Sequence, residues 1–236
     1  MKNNSIITLF LNDFLSLIFP QHCLTCNQIL VESEEQLCTN CRFELPETND
    51  FKDKNNDLYQ KLSVYFPLQF ASSYLVFTKL GKTQKILHAL KYYNNPEIGE
   101  MLGRWYGNIL ISNGFENQFD VVIPVPLHPK KLKLRGYNQS AAFGKGLASG
   151  LHIYQEENGL IRQKNTVTQT KKKRMERWDN VSDIFEVGNK DIIYQKKVLL
   201  VDDVITTGAT IGECLKVLHQ HQPESLSVIT IATPSR

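Results

Sequence analysis

The chain has 236 residues, enough for one sizeable core and a small additional module. A net charge of +3 and 42% hydrophobic residues describe a globular protein and give no reason to expect polyanion binding by the chain as a whole. Positive charge gathers instead in KKLKLR (130–135) and KKKRMER (171–177), runs that read as solvated faces or as anion contacts.

The first segment, MKNNSIITLFLNDFLSLIFPQ, has one n-region lysine, no small-residue cleavage site, and Asn12-Asp13 inside its apolar run. It therefore does not read as a signal peptide, and it falls short of the about 20 mostly apolar residues that span a bilayer. Ile6, Ile7, Phe10, Phe14, Leu17 and Ile18 fit one face of a helix, which packs on the protein or attaches weakly to a membrane surface. The expected location is cytoplasmic.

Cysteine usage agrees. Four of five cysteines form two C-x-x-C pairs, Cys23/Cys26 and Cys38/Cys41. Each pair can present two thiolates to one ion, and the spacer is long enough to fold back, so a closed tetrahedral zinc site is expected. Disulfides would need an export signal, and a redox C-x-x-C does not normally come twice. His22 is a bystander in this reading, and Cys214, alone in a helical pattern, is a core residue.

The segment 46–61, PETNDFKDKNNDLYQK, is polar and aperiodic. It reads as a linker between a module over 1–45 and a domain over 62–236. FASSYLVFT (70–78) then has strand composition. Ile86, Leu87, Leu90 and Tyr93 share one helical face, as do Ile98, Leu102, Trp105 and Ile109. FDVVIPVP (119–126) reads as a buried strand ended by prolines, and Phe143, Leu147 and Leu151 mark another helix. KKVLLV (196–201) and LSVITIA (226–232) are further buried strands, with a helix through Ile211, Leu215 and Leu218 between them. Strands alternating with helices predict an α/β fold, a parallel sheet with helices on both faces.

In such sheets ligands collect at the carboxyl ends of strands, which places Asp202 and Asp203 at the working edge. Thr206, Thr207, Gly208, Ala209 and Thr210 follow as a turn entering a helix. Its successive N–H groups and the positive end of the helix dipole form a phosphate cradle. A cradle beside two hydroxyl-accepting carboxylates suits one molecule with a phosphate and vicinal hydroxyls. No G-x-x-x-x-G-K-[ST] occurs, and GKGLAS (144–149) fails the dinucleotide fingerprint.

VLLVDDVITTGAT (198–210) closely resembles the PRPP-binding motif of type I phosphoribosyltransferases. The whole chain resembles the ComF/ComFC family associated with natural competence, with its double zinc ribbon-like N-terminal module. The apolar segment leading through FP into C-x-x-C, the second C-x-x-C, VIPVPLHPKKLKLRGYNQS (122–140) and TVTQTKKKRMERWDNVSDIF (166–185) carry that resemblance. It implies that Asp202 and Asp203 hold ribose hydroxyls and that residues 206–210 wrap a 5′-phosphate. His128, Lys130, Lys131 and Arg135 would face pyrophosphate, in a loop where a cis X–Pro bond is admissible. Gln169, Thr170, Lys172, Arg174 and Arg177 fall in the family's mobile loop, expected to close over PRPP.

The implied chemistry is Mg²⁺-dependent displacement of pyrophosphate from C1′ by a nitrogen nucleophile. No general base for that nucleophile stands out; His88 and His128 are candidates by residue type. The chain closes on TPSR, so no C-terminal hood is expected, and any cover that selects the acceptor should come from residues before about Val121. Two further readings stay open. One is a competence factor that handles single-stranded DNA, with the basic runs and Tyr92-Tyr93 beside Lys91 as contacts and other competence proteins as partners. The other is a PRPP sensor without turnover.

Overall fold

The structure, a computed structural model, describes residues 19–64, 66–163 and 184–235. The predicted N-terminal helix face at 6–18 and the predicted mobile-loop residues Gln169, Thr170, Lys172, Arg174 and Arg177 lie outside the described residues. The chain divides into two compact units, 1–45 and 46–236.

The smaller unit is built on turns. Cys23 N–H donates to Gln28 O at 2.8 Å, and Asn27 adopts the left-handed conformation, φ 64°, that lets the chain reverse after the first C-x-x-C. His22 and Ile29 pair across this turn as an antiparallel bridge. The Glu34 carboxylate accepts from Val31 N–H at 3.1 Å and from Thr39 N–H at 2.6 Å, tying the intervening loop to the start of α1 (Thr39–Phe43). Leu37 is buried between these turns.

The larger unit opens with a segment that overturns the linker expectation. Residues 46–48 run antiparallel beside Tyr74–Val76, with Thr48 N–H donating to Tyr74 O at 3.0 Å and Val76 N–H to Pro46 O at 2.7 Å. A 3-10 turn (Asp50–Lys52) and helix α2 (Asp57–Ser63) follow, burying Phe51, Asn56, Leu58 and Leu62. The polar residues that suggested a linker satisfy backbone groups instead. Asn56 accepts from Tyr59 N–H at 2.9 Å to cap α2, and its amide donates to Ala71 O at 2.8 Å.

The main sheet contains β1 (Phe70–Phe77), β2 (Val121–Pro124), β3 (Tyr154–Gln155), β6 (Lys197–Val204) and β7 (Ser225–Pro234), in the order β1-β7-β6-β2-β3. Every pairing is parallel. A separate antiparallel ribbon joins β4 (Leu160–Arg162) to β5 (Phe185–Val187). The helices are α3 (Lys82–Tyr92), α4 (Glu97–Ile111), α5 (Pro129–Arg135), α6 (Gln139–Leu151) and α7 (Ala209–His219). The central strand β6 buries Val198, Leu199, Leu200 and Val201, the continuous apolar run expected of a strand covered on both faces. Val198 and Leu200 share a core with Leu58, Leu62, Ile211, Leu215 and Leu218 from α2 and α7. Val201 points the other way, toward Gly144 of α6.

Helices α4 and α6 approach through glycines. A methyl on Gly107 would lie 2.9 Å from Gly150 Cα, and one on Gly103 would run into the Phe143 carbonyl and the Leu147 amide. This contact turns α4 slightly from the predicted face. Ile98, Leu102, Tyr106 and Leu110 are its buried stripe, whereas Trp105 and Ile109 are only partly covered. On α3, Ile86, Leu87 and Leu90 are buried as expected, but Tyr93 is exposed at the helix end. Among the described residues, no helix is long and apolar enough to cross a membrane.

Candidate functional site

The acids lie inside β6, which continues through Val204; Asp202 pairs in register with Thr230 and Val204 with Ala232. The neighbouring strand β2 ends opposite Val201, the residue before Asp202. Pro124 pairs with Val201, Val125 N–H donates to Val201 O at 2.9 Å, and the chain then leaves the sheet beside Asp202. That divergence of β2 and β6 opens a cleft of about 210 Å³. Its walls include Asp202, Asp203, His128, Lys131, Arg135 and Thr210, all named by the sequence. Lys130, which is exposed, and Thr206, Thr207, Gly208 and Ala209 of the predicted phosphate loop do not line it. All peptide bonds among the described residues are trans, including those to the loop prolines.

The stretch RGYNQS builds the opposite wall. His128 Nδ1 accepts from Lys130 N–H at 3.1 Å, capping α5, and Gly136 ends that helix at φ 80°. Tyr137 then reaches back to donate to Leu90 O and, at 3.2 Å, to Asn95 O. Burial of the phenol, opposed by Gln139 and Arg135, pushes Tyr137 up to about 12, so it remains a donor. Asn138 donates to Val125 O at 3.0 Å and accepts from Ser140 N–H at 3.1 Å, locking the loop after β2 to the start of α6. Arg135 donates to Gln139 Oε1 at 2.8 Å, which fixes the guanidinium at the cleft wall.

The acids differ in environment. Asp202 Oδ1 accepts from Ser140 Oγ and from Asp203 N–H, both at 2.8 Å. Burial first, then the Asp203 charge, push Asp202 up from 3.8 to about 7, against the pull of those donors and of Lys91. Asp203 Oδ2 pairs with Lys91 Nζ at 2.9 Å. Lys91, Gln139, Ser140 and Arg162 thus join a site that motif reading did not assign them to. Lys91 and Arg162 come from α3 and β4, far away in sequence. His88 packs on Tyr92 with ring centroids 4.7 Å apart, but does not line the cleft.

After β6 the chain turns through Thr206 and Thr207 to Gly208, whose φ of 83° places it at the N-terminus of α7. Among the described residues, no acceptor takes the N–H groups of Thr206, Thr207 or Gly208. Ala209 N–H makes a long contact with Thr207 Oγ1 at 3.4 Å. Orphan donors at the positive end of an eleven-residue helix are what an anion requires.

In the smaller unit the Sγ atoms of Cys23, Cys26, Cys38 and Cys41 all lie within 4.8 Å of one another, with Cys26 and Cys38 3.6 Å apart. Tetrahedral zinc with thiolates at its usual bond length places sulfurs about 3.8 Å apart, so the four residues fit that ion. Burial would push the Cys23 thiol up, but the Thr25 hydroxyl and nearby backbone N–H groups outweigh it and bring Cys23 down to about 5. Cys38, despite the Cys41 N–H, is pushed up to about 12 by burial and the neighbouring thiols, so holding all four as thiolates takes a cation. Cys214 is buried in the core of the larger unit, as expected.

Residues 14–51 match the double zinc ribbon domain, and residues 139–236 match the phosphoribosyl transferase domain. Competence protein F of Haemophilus influenzae is 35% identical over 114 residues, 48% of this chain and 50% of that protein. The DNA utilization protein YhgH of Escherichia coli is 26% identical over 147 residues, 61% of this chain and 63% of its own. The chain therefore spans between half and two thirds of these relatives. Among solved structures, glutamine phosphoribosylpyrophosphate amidotransferase from B. subtilis aligns with a TM-score of 0.44 and 20% identity, over 61% of this chain and 30% of its own.

A parallel sheet with a cleft at its carboxyl edge, in a chain matching that transferase domain, defines a phosphoribosyltransferase-type α/β protein. A zinc ribbon domain before it, and a competence protein and a DNA utilization protein among the chains it is similar to, agree with the resemblance to the ComF family.

Proposed function

We propose that the cleft binds PRPP with Mg²⁺ and transfers its phosphoribosyl group to a nitrogen acceptor, in a protein that serves DNA uptake and use during competence. One observation carries this reading: two carboxylates, a wall of Lys131 and Arg135, and Thr210 at the end of a loop with unsatisfied N–H groups border one cleft. The carboxylates of Asp203 and, once ionised, Asp202 suit ribose hydroxyls. The cradle at 206–210 suits the 5′-phosphate, and Lys131 and Arg135 suit the diphosphate.

Mg²⁺, held through Asp202 and Asp203 with the sugar hydroxyls, would supply further positive charge against the diphosphate. In the transfer itself, the C1′–O bond breaks with its electron pair leaving on pyrophosphate, and a C1′–N bond forms from the acceptor's lone pair. Lys131 and Arg135 stabilise the departing charge. Ser140, through its hydrogen bond to Asp202, holds that carboxylate toward the ribose. Zinc in the Cys23, Cys26, Cys38 and Cys41 cluster is structural, because four thiolates leave no open position for a substrate.

The test is pyrophosphate release from PRPP and Mg²⁺ in the presence of a panel of nucleobases, amines and ammonia. Release that requires both an acceptor and Asp202/Asp203 supports transfer. PRPP binding with no release for any acceptor would refute transfer and favour a sensor.

Exposed Tyr92 and Tyr93, 61% and 65% accessible, favour a second reading as a single-stranded DNA-handling factor. Their place next to Lys91, which lines the cleft, would put stacked bases beside it. Replacing both by Ala should weaken single-stranded DNA binding while leaving PRPP binding intact; unchanged DNA binding would exclude this surface.

A further inference from the structure

We infer that Lys61, on α2, is a positioning residue of the phosphate loop: its ammonium fixes the orientation of the Thr206–Thr207 peptide so that the Thr207 N–H faces a bound phosphate. The inference rests on the phosphate-binding reading of residues 206–210 and adds a residue from outside the span matched to the transferase domain.

The ammonium of Lys61 donates to the carbonyl oxygen of Thr206. The peptide that follows is planar and trans, so the Thr206 C=O and the Thr207 N–H point in opposite directions. Holding the carbonyl toward α2 aims the amide away from α2. Helix α2 covers one side of the loop: Leu62 Cδ2 lies 3.3 Å, and Lys61 Cε 3.9 Å, from where a side chain on Gly208 would begin. Leu62 is fully buried, so its neighbour Lys61 is carried by a fixed helix although its own side chain is exposed. Thr206 and Thr207 are exposed, and Thr210, two residues past Gly208, borders the cleft. The Thr207 N–H, which finds no acceptor among the described residues, is thereby presented to a ligand.

The alternative peptide orientation shows what the contact prevents. Rotated by half a turn, the unit would aim the Thr206 carbonyl at the phosphate, replacing a donor with a repelling oxygen. Residues 205–212 are Ile-Thr-Thr-Gly-Ala-Thr-Ile-Gly and contain no cation that could hold the carbonyl. Lys61 supplies it from 145 residues earlier in the chain.

The experiment compares wild type, Lys61→Met and Lys61→Arg by calorimetric titration with ribose 5-phosphate, with PRPP and Mg²⁺, and with pyrophosphate and Mg²⁺. The Thr207 amide is followed by ¹H–¹⁵N spectroscopy during the ribose 5-phosphate titration. Lys61→Met should weaken ribose 5-phosphate and PRPP by about 10-fold, the loss of one charge-assisted hydrogen bond. It should abolish the Thr207 response and change pyrophosphate affinity by less than about 2-fold. Lys61→Arg, which keeps the donor, should restore both affinity and response. An unchanged ribose 5-phosphate affinity in Lys61→Met, or a Thr207 response that survives, would overturn the role of Lys61. Equal weakening of pyrophosphate would also overturn it, since the effect would then not be confined to the loop. Failure of wild type to bind ribose 5-phosphate and PRPP would overturn the phosphate-loop reading itself.

Discussion

Asp202→Asn separates what the acid pair does for binding from what it costs the fold. In the unfolded chain Asp202 ionises near 3.8, and in the folded protein burial and the Asp203 charge raise it to about 7. Between those values the unfolded chain has released a proton that the folded one still holds. Stability from this group therefore falls as pH rises through that window and levels off above it. The full shift of about three units corresponds to about 4 kcal/mol, and water reaching the cleft mouth reduces it to about 1–3 kcal/mol. Asn keeps an oxygen to accept from Ser140 Oγ and Asp203 N–H but carries no charge. Without ligand, the variant should melt about 3–10 °C above wild type at about pH 8, with the gap closing toward about pH 4. A gap independent of pH, or a wild type that is the more stable at about pH 8, would refute the assignment of a strained, ionisable Asp202.

Gly103→Ala should destabilise the larger unit by about 2–4 kcal/mol in chemical denaturation, because its methyl meets the backbone of α6 rather than a side chain that can move. Gly208→Ala forces φ 83° on a residue with a Cβ, 3.3 Å from Leu62 Cδ2. It should cost about 1 kcal/mol and weaken PRPP binding in titration. Metal analysis should find one zinc per chain, and chelation should collapse the amide dispersion of residues 19–45. Unchanged spectra after verified zinc loss would show that the four sulfurs are held without an ion.

The sheet was legible where the physics is local. Val198–Val201 reads as a covered strand because four apolar residues run together, and the Thr-Thr-Gly turn reads as a helix entry because glycine admits φ 83° there. Asp202 and Asp203 followed from the rule that ligands sit at strand ends, whereas His128, Lys131 and Arg135 came from the family resemblance. Lys91, Ser140 and Arg162 were not legible, since each reaches Asp202 or the cleft from an element whose distance in sequence hides its distance in space.

The segment 46–61 failed differently. Its Asn and Asp residues have loop composition, yet they hydrogen-bond backbone groups of a folded edge, and only Phe51 and Leu58 hinted at burial. The close approach of α4 and α6 did leave a signal. Gly99, Gly103 and Gly107 recur every fourth residue, as do Gly146 and Gly150, which marks one helix face as backbone-smooth.

Calorimetric titration of PRPP with Mg²⁺ into wild type and into Asp202→Asn/Asp203→Asn tests the central claim most directly. Saturable one-to-one binding by zinc-replete wild type, lost in the double variant while its melting transition remains cooperative, is the predicted result. Absence of binding to folded wild type, or equal binding by the variant, would contradict the account of this cleft.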